Sequence, residues 1–96
     1  MLEVYKQALA EDDLINIWCY SCEQWGVDQA DLYLDQLNEG INGLAENPKI
    51  GMAIDHIRQG YRRYHVQHHM IYYRIRSDRI EIIRVLLESM DTDIHL

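Results

Sequence analysis

Two kinds of periodicity divide the chain. From residue 8 to Gly26, apolar side chains recur at Leu14, Ile17, Trp18, Cys22 and Trp25, the three- and four-residue spacing of one face of an α-helix. Ala8-Leu9-Ala10-Glu11 opens this helix with acids in its first turns, where the helix dipole favours them. Gly26 ends it. Asp28 is placed to cap a second helix, with Asp31 in its first turn. The stripe of that helix is Ala30, Tyr33, Leu34, Leu37, Ile41, Leu44 and Ala45, and Asp31, Asp35 and Glu39 step by four along the opposite face. Asn47-Pro48 stops it. Gly40 and Gly43 each lower its intrinsic stability by up to ~1 kcal/mol relative to alanine, and each admits a close neighbour. Two amphipathic helices joined by a tight turn form a hairpin that needs an apolar surface to lie on.

That surface comes from the second half, where the pattern changes to alternation. Residues 70–76 (MIYYRIR) and 79–86 (RIEIIRVL) are β-branched and aromatic, and Ser77-Asp78 between them has the composition of a tight turn. Residues 61–66 read as a strand feeding this hairpin, and residues 2–5 as a short strand of their own. In the connector 48–60, Lys49-Ile50-Gly51 reads as a loop, and residues 52–58 fit either a helical turn or an extended piece. Alternation puts Ile71, Tyr73 and Ile75 on one face, and Met70, Tyr72, Arg74 and Arg76 on the other. On the last strand it groups Ile80, Ile82, Arg84 and Leu86 against Arg79, Glu81, Ile83 and Val85. The last strand is therefore apolar on both faces toward its end. One face lies under the helical hairpin. The other has only the tail 87–96 to cover it, so it is expected to stay open, and an open apolar face marks a partner site. The alternative is a central strand closed by that tail. The fold class is α+β, a β-α-α-β-β-β chain with its hairpin on one face of an antiparallel sheet.

Ninety-six residues make a single domain, 1–96, and a chain of this size buries roughly 60–70% of its unfolded surface. The net charge of −7 is unevenly spread: residues 1–57 hold two lysines against eleven acids, and residues 58–96 hold seven arginines against five acids. That balance argues against a protein that tracks phosphates tightly. No apolar run approaches the roughly 20 residues that cross a bilayer, and the start lacks the pattern of a secretion signal, so the cytoplasm is the expected location. Cys19 and Cys22 fall inside the first helical pattern with no second pair and read as reduced thiols. His65, His68 and His69 have no cysteine or carboxylate at fixed ligand spacing and read as turn and sheet residues, so no metal and no cofactor is expected. There is no G-x-S-x-G elbow and no glycine-rich phosphate loop. What stands out is a set of arginines among tyrosines: Arg62, Arg63, Arg74, Arg76, Arg79 and Arg84 with Tyr61, Tyr64, Tyr72 and Tyr73. Arg84, sharing a face with Ile82 and Leu86, needs a counter-charge.

Gly60-Tyr61-Arg62-Arg63-Tyr64, His69-Met70-Ile71-Tyr72-Tyr73-Arg74, Ile82-Ile83-Arg84-Val85-Leu86 and Ser89-Met90-Asp91 resemble the signature of ParE-type toxins in the RelE/ParE superfamily. Asp13-Leu14, Ile17-Trp18, Trp25-Gly26, Gln29-Ala30, Tyr33, Leu37 and Leu44-Ala45-Glu46-Asn47-Pro48 are similar to that family's helical hairpin. The sequence departs from the family where Leu87 replaces a histidine after Arg-Val-Leu, and where Gln67-His68 replace a glycine approach to His69. The resemblance implies the toxin of a type II toxin–antitoxin pair, neutralised by the flexible C-terminal segment of a ParD-like antitoxin whose N-terminal part binds DNA. ParE members typically poison DNA gyrase and RelE members cut messenger RNA in the ribosome; the acidic balance favours the gyrase branch. On that reading the toxin is not an enzyme. Arg62, Arg63, His69, Arg74, Arg84, Met90 and Asp91 are its expected target contacts, and Tyr72, Ile80, Ile82 and Leu86 its antitoxin groove. On the ribonuclease alternative Arg62, Arg63, Tyr72 and Arg84 hold the phosphate and His69 is the general base. A third reading, motivated by Leu87, is an inactive relative kept as a binding module.

Overall fold

The computed structural model describes residues 2–90 and 92–96, with the backbone alone at Asp93. Its elements are β1 (Glu3–Lys6), α1 (Ala8–Trp25), α2 (Val27–Glu46), β2 (Met52–Ala53), β3 (Tyr61–Val66), β4 (His69–Ile75), β5 (Arg79–Leu87) and α3 (Thr92–His95). The helices lie on one face of a five-stranded sheet of order β1-β5-β4-β3-β2. The expected architecture is present, extended by β2 and α3 and with one change of strand direction. β1 runs parallel to β5, so the sheet is mixed rather than antiparallel. β1 takes the outer edge of the last strand, where Val4 joins the core and the Gln7 N–H donates to the Ile82 carbonyl.

Gly26 makes the turn between the helices by itself. At φ 92°, it donates its N–H to the Cys22 carbonyl and its own carbonyl accepts from Ala30 N–H. Only glycine holds that backbone without strain, so α2 starts at Val27 with no side-chain cap. Asp28, expected as that cap, lies one residue inside the helix and acts through the dipole instead. Across the turn, Trp18 Nε1 donates to Asp31 Oδ1 at 2.8 Å. The α2 stripe is buried as its spacing requires, at Ala30, Leu37, Ile41, Leu44 and Ala45. α1 keeps Leu14 and Ile17 of its expected stripe on the core, adds Ala10 and Ser21 to the buried side, and leaves Trp25 66% exposed.

Under the helices lie Ile71, Tyr73, Ile80, Ile82 and Val85. Tyr73 also ties down the connector, donating to Pro48 O at 2.7 Å and accepting from Gly51 N–H at 3.0 Å. The pairing of β4 with β5 shifts by one residue between Tyr72↔Arg84 and Tyr73↔Ile82, which makes Ile83 the extra residue of a β-bulge. Past the bulge the alternation of β5 is inverted. Ile80 and Ile82 remain under the helices, whereas Leu86 turns to the far face with Tyr72 and Ile83. The four residues expected to form one groove, Tyr72, Ile80, Ile82 and Leu86, are therefore split between two faces, and none is more than 3% exposed.

The far face is also not open, as alternation had led us to expect. Ile54 is buried with Tyr72, Ile83 and Leu86, and Ile57 and Leu96 pack against them. Tyr72 Oη and Thr92 Oγ1 lie 2.7 Å apart, and Arg58 donates from Nε and Nη2 to Leu96 O at 2.9 and 2.6 Å. The tail is a sufficient lid because it is hydrogen-bonded at both ends.

The two glycines of α2 make a test of this packing. A Cβ on Gly40 would stand 2.6 Å from Val66 Cγ2, whereas one on Gly43 meets nothing within 4 Å. Gly43→Ala should stabilise the protein by about 0.5–1 kcal/mol through helix propensity. Gly40→Ala should destabilise it by about 1–2 kcal/mol, because the clash outweighs that gain. Urea unfolding midpoints of the two variants should move in opposite directions.

Candidate functional site

The open surface lies elsewhere, where the helical hairpin overhangs the far end of β5. An apolar groove of about 870 Å³ is lined chiefly by Ile17, Tyr20, Trp25, Leu32, Leu87 and Met90. Trp25, Tyr20 and Leu32 are each more than half exposed, and the rings of Tyr20 and Trp25 meet edge to face with centroids 6.3 Å apart. Large apolar groups gathered in one concavity are costly to leave in water, which is the mark of a surface built for a partner.

The polar wall of the groove is Arg84 and Asp13. Arg84 donates from Nε and Nη2 to Oδ2 and Oδ1 of Asp13 at 2.7 and 2.9 Å, a two-pronged pair joining β5 to α1. Asp13 Oδ2 also accepts from the Val85 N–H at 3.0 Å, and Arg84 Nη1 reaches His95 O at 3.4 Å. The Asp13 hydrogen bonds push the guanidinium pKa above its already high ordinary value, against the opposing effect of burial. The counter-charge that Arg84 requires is thus supplied from within the fold.

His69 forms another part of the wall. It is 8% exposed, and its Nδ1 lies 2.6 Å from Tyr33 Oη. Tyr33 Oη also accepts from the His68 N–H at 3.2 Å, so one hydroxyl holds both the ring and the turn before it. Burial lowers the His69 pKa most, and the neighbouring His68 lowers it further. The adjacent turn carries Gln67 at φ 53°, a strained position for a residue with a Cβ.

The other expected contacts lie apart from the groove. Arg62 is tied to the connector by a 2.7 Å bond from Nη1 to Gly51 O. Arg63 leans on Met52 Sδ at 3.9 Å, near the β2 edge. Arg74 sits on the far face, paired with Glu81. Of the seven expected target contacts the structure thus gathers His69, Arg84 and Met90 at the groove and disperses Arg62, Arg63 and Arg74, while Asp91 lies outside the described residues. Tyr20, Trp25 and Leu32, which dominate the groove, were not among the expected residues. Trp25 had been placed on the buried stripe of α1; its position beside a helix-ending glycine is the one signal that it overhangs the end.

Residues 5–92 match the family described as "ParE toxin of type II toxin-antitoxin system, parDE". The chain belongs to the ParE toxin family. It is similar to Toxin ParE1 of Mycobacterium tuberculosis, with 42% identity over 88 residues that span 91% of this chain and 90% of that one. It is likewise similar to Toxin ParE1 of Caulobacter vibrioides, with 44% identity over 87 residues and the same shares of each chain. Among solved structures it is similar to a chain of the chromosomal ParDE TA system from P. aeruginosa, with a TM-score of 0.80 and 18% identity over 91% of this chain and 96% of that one. At that identity the likeness speaks to the fold alone.

In this ParE-type chain Arg63, Tyr72 and Arg84 occupy one row across β3, β4 and β5, the register a phosphate cradle would need. Their side chains do not converge. Arg84 turns to Asp13, Tyr72 is 2% exposed with its hydroxyl on Thr92, and Arg63 leans toward the sheet edge.

Two measurements check the polar wall. A double-mutant cycle of Asp13→Ala and Arg84→Ala, read by urea unfolding, should give a coupling of about 2 kcal/mol; below about 0.5 kcal/mol the pair would not be acting as a unit. The second concerns pH. The folded-state pKa of His69 lies below its ordinary 6.5, so protons favour the unfolded chain. Its contribution to stability is complete above pH 6.5 and is lost as pH falls from there through the lowered value. The His69 ring resonance should titrate with a midpoint below 6.5, and a higher midpoint would contradict the buried neutral ring.

Proposed function

We propose that this chain is a toxin that acts by binding rather than by catalysis, with DNA gyrase as its target and a ParD-like antitoxin as its inhibitor. The observation that carries this reading is the apolar groove beside α1 and β5, which is shaped for one face of an amphipathic segment. The antitoxin tail seats there, with Trp25 and Tyr20 as its main anchors. The toxin works in the cytoplasm, and none of the described helices is long and apolar enough to cross a membrane.

Cleavage of messenger RNA has less support. It needs guanidiniums free to meet phosphate and a base at the scissile bond, and here Arg84 and Arg62 are held by internal acceptors while His69 is buried. A binding-only relative without toxicity is separated from both by growth after expression of the chain alone.

Purified toxin at micromolar concentration should inhibit supercoiling by DNA gyrase, and the antitoxin encoded beside it should restore the reaction. Trp25→Ala should weaken that antitoxin complex by about thirtyfold, the effect of removing a central aromatic anchor. Codon-specific cleavage in a translating extract, with gyrase unaffected, would replace this reading by the ribonuclease one.

A further inference from the structure

At the opposite end of β5 from the groove, the register aligns four residues across four strands: Tyr61 on β3, Arg74 on β4, Glu81 on β5 and Tyr5 on β1. Arg74 lies over the Tyr61 ring at 6.0 Å, and Arg79 over the Tyr5 ring at 5.1 Å. Three guanidiniums converge on the one carboxylate. Arg74 Nε and Arg76 Nε approach Glu81 Oε1 at 2.5 and 3.3 Å, and Arg79 Nη2 approaches Oε2 at 2.9 Å. The Glu81 side chain is 5% exposed, while those of Arg76 and Arg79 are 51% and 43% exposed. The hydrogen bond from Arg74, more than any other influence, holds the Glu81 carboxyl below its ordinary range. Arg79 Nε is buried with no acceptor among the described residues. Arg84, by contrast, is matched one to one with Asp13. Here three positive charges meet one negative, on a protein whose net charge is −7.

We propose that this row is a docking seat for a short acidic segment of a partner polypeptide. Carboxylates of the segment take the outward nitrogens of Arg76 and Arg79, and the half-exposed Tyr5 ring supplies an apolar floor. The chemistry is that of a carboxylate because guanidinium groups match its geometry, and Glu81 already takes one nitrogen of each, Nε of Arg76 and Nη2 of Arg79. The partner is a polypeptide rather than a nucleic acid because the seat is small and bounded by acids. Glu3 lies opposite Arg79 in the register, and Asp78 stands next to it in the chain. A duplex, with a charge every ~1.7 Å, would run on to those acids, whereas a segment bearing two or three carboxylates would not. The seat and the groove lie toward opposite ends of β5: Glu81 belongs to the one and Arg84 to Leu87 line the other, with roughly 10 Å of strand between Glu81 and Arg84.

The test uses the whole chain and does not depend on gyrase or on any antitoxin. Hexaglutamate is titrated at low salt against ¹⁵N-labelled protein, with the arginine Nε–H signals followed by NMR; a thymidine hexanucleotide is the parallel arm. Saturable shifts confined to Tyr5, Arg74, Arg76 and Arg79 are expected, with hexaglutamate binding tighter than the oligonucleotide. Arg76→Gln combined with Arg79→Gln should weaken hexaglutamate binding by about fivefold, while Arg63→Gln, outside the row, should leave it unchanged. Both variants retain Arg74–Glu81, and unchanged unfolding midpoints will show that they fold. Absence of saturable shifts, shifts spread over all arginines, equal losses in both variants, or tighter binding of the oligonucleotide would each overturn the proposal.

Discussion

The carboxylate of Asp13 fixes how the two layers of this protein meet. β1 ends opposite Ile82, so beyond that point β5 has no strand on its outer side. The chain has by then turned into α1, and Asp13 takes the Val85 N–H and two prongs of Arg84 there. One acid thus satisfies an edge amide that would otherwise face the underside of a helix, and neutralises a cation set among apolar residues. It joins positions 71 and 72 residues apart in sequence. The bulge at Ile83 belongs to the same arrangement. By adding a residue it inverts the strand, sending Val85 toward the helices and Leu86 away from them.

The distribution of apolar surface follows. With β5 inverted, both sheet faces have a core, and the far one is closed by Ile54, Ile57 and Leu96 rather than by a partner. What remains open is what the two layers cannot cover: the overhang of the helical hairpin, where Tyr20 and Trp25 project past the end of β5. The arginines divide in the same way. Arg58, Arg62 and Arg84 hold main-chain oxygens or an acid and serve the fold, whereas Arg76 and Arg79 keep exposed guanidinium ends around an acid that is already shared.

Much of this was legible in the residues. The α2 stripe was, because seven apolar positions on one face leave a helix little freedom of rotation. The strand hairpin was, because Ser77-Asp78 interrupts two β-branched runs. The bulge was not: Ile82-Ile83-Arg84-Val85-Leu86 is apolar in both parities, so either phase fits and only the packed core chooses. The parallel pairing of β1 was not, since a four-residue strand carries no sign of its neighbour. Nor was the groove: Trp25 falls on the α1 stripe by its spacing and yet stays exposed, while Tyr20 lies off that stripe and carries no sign of its place. The Asp13–Arg84 pair was half legible, as a demand for a counter-charge with no indication of its source.

The pairing of β1 with β5 also bears on the order of assembly. Glu3 lies opposite Arg79, so this ladder closes a loop of most of the chain, and such contacts form slowly and late. During synthesis the helical hairpin leaves the ribosome well before the strands that give it a floor. Ile17 and Trp25 emerge well before Leu87 and Met90, and no nascent fragment that stops short of β5 owns both walls of the groove. The surface beside α1 therefore comes into being only once β5 and the segment after it have joined the helical hairpin.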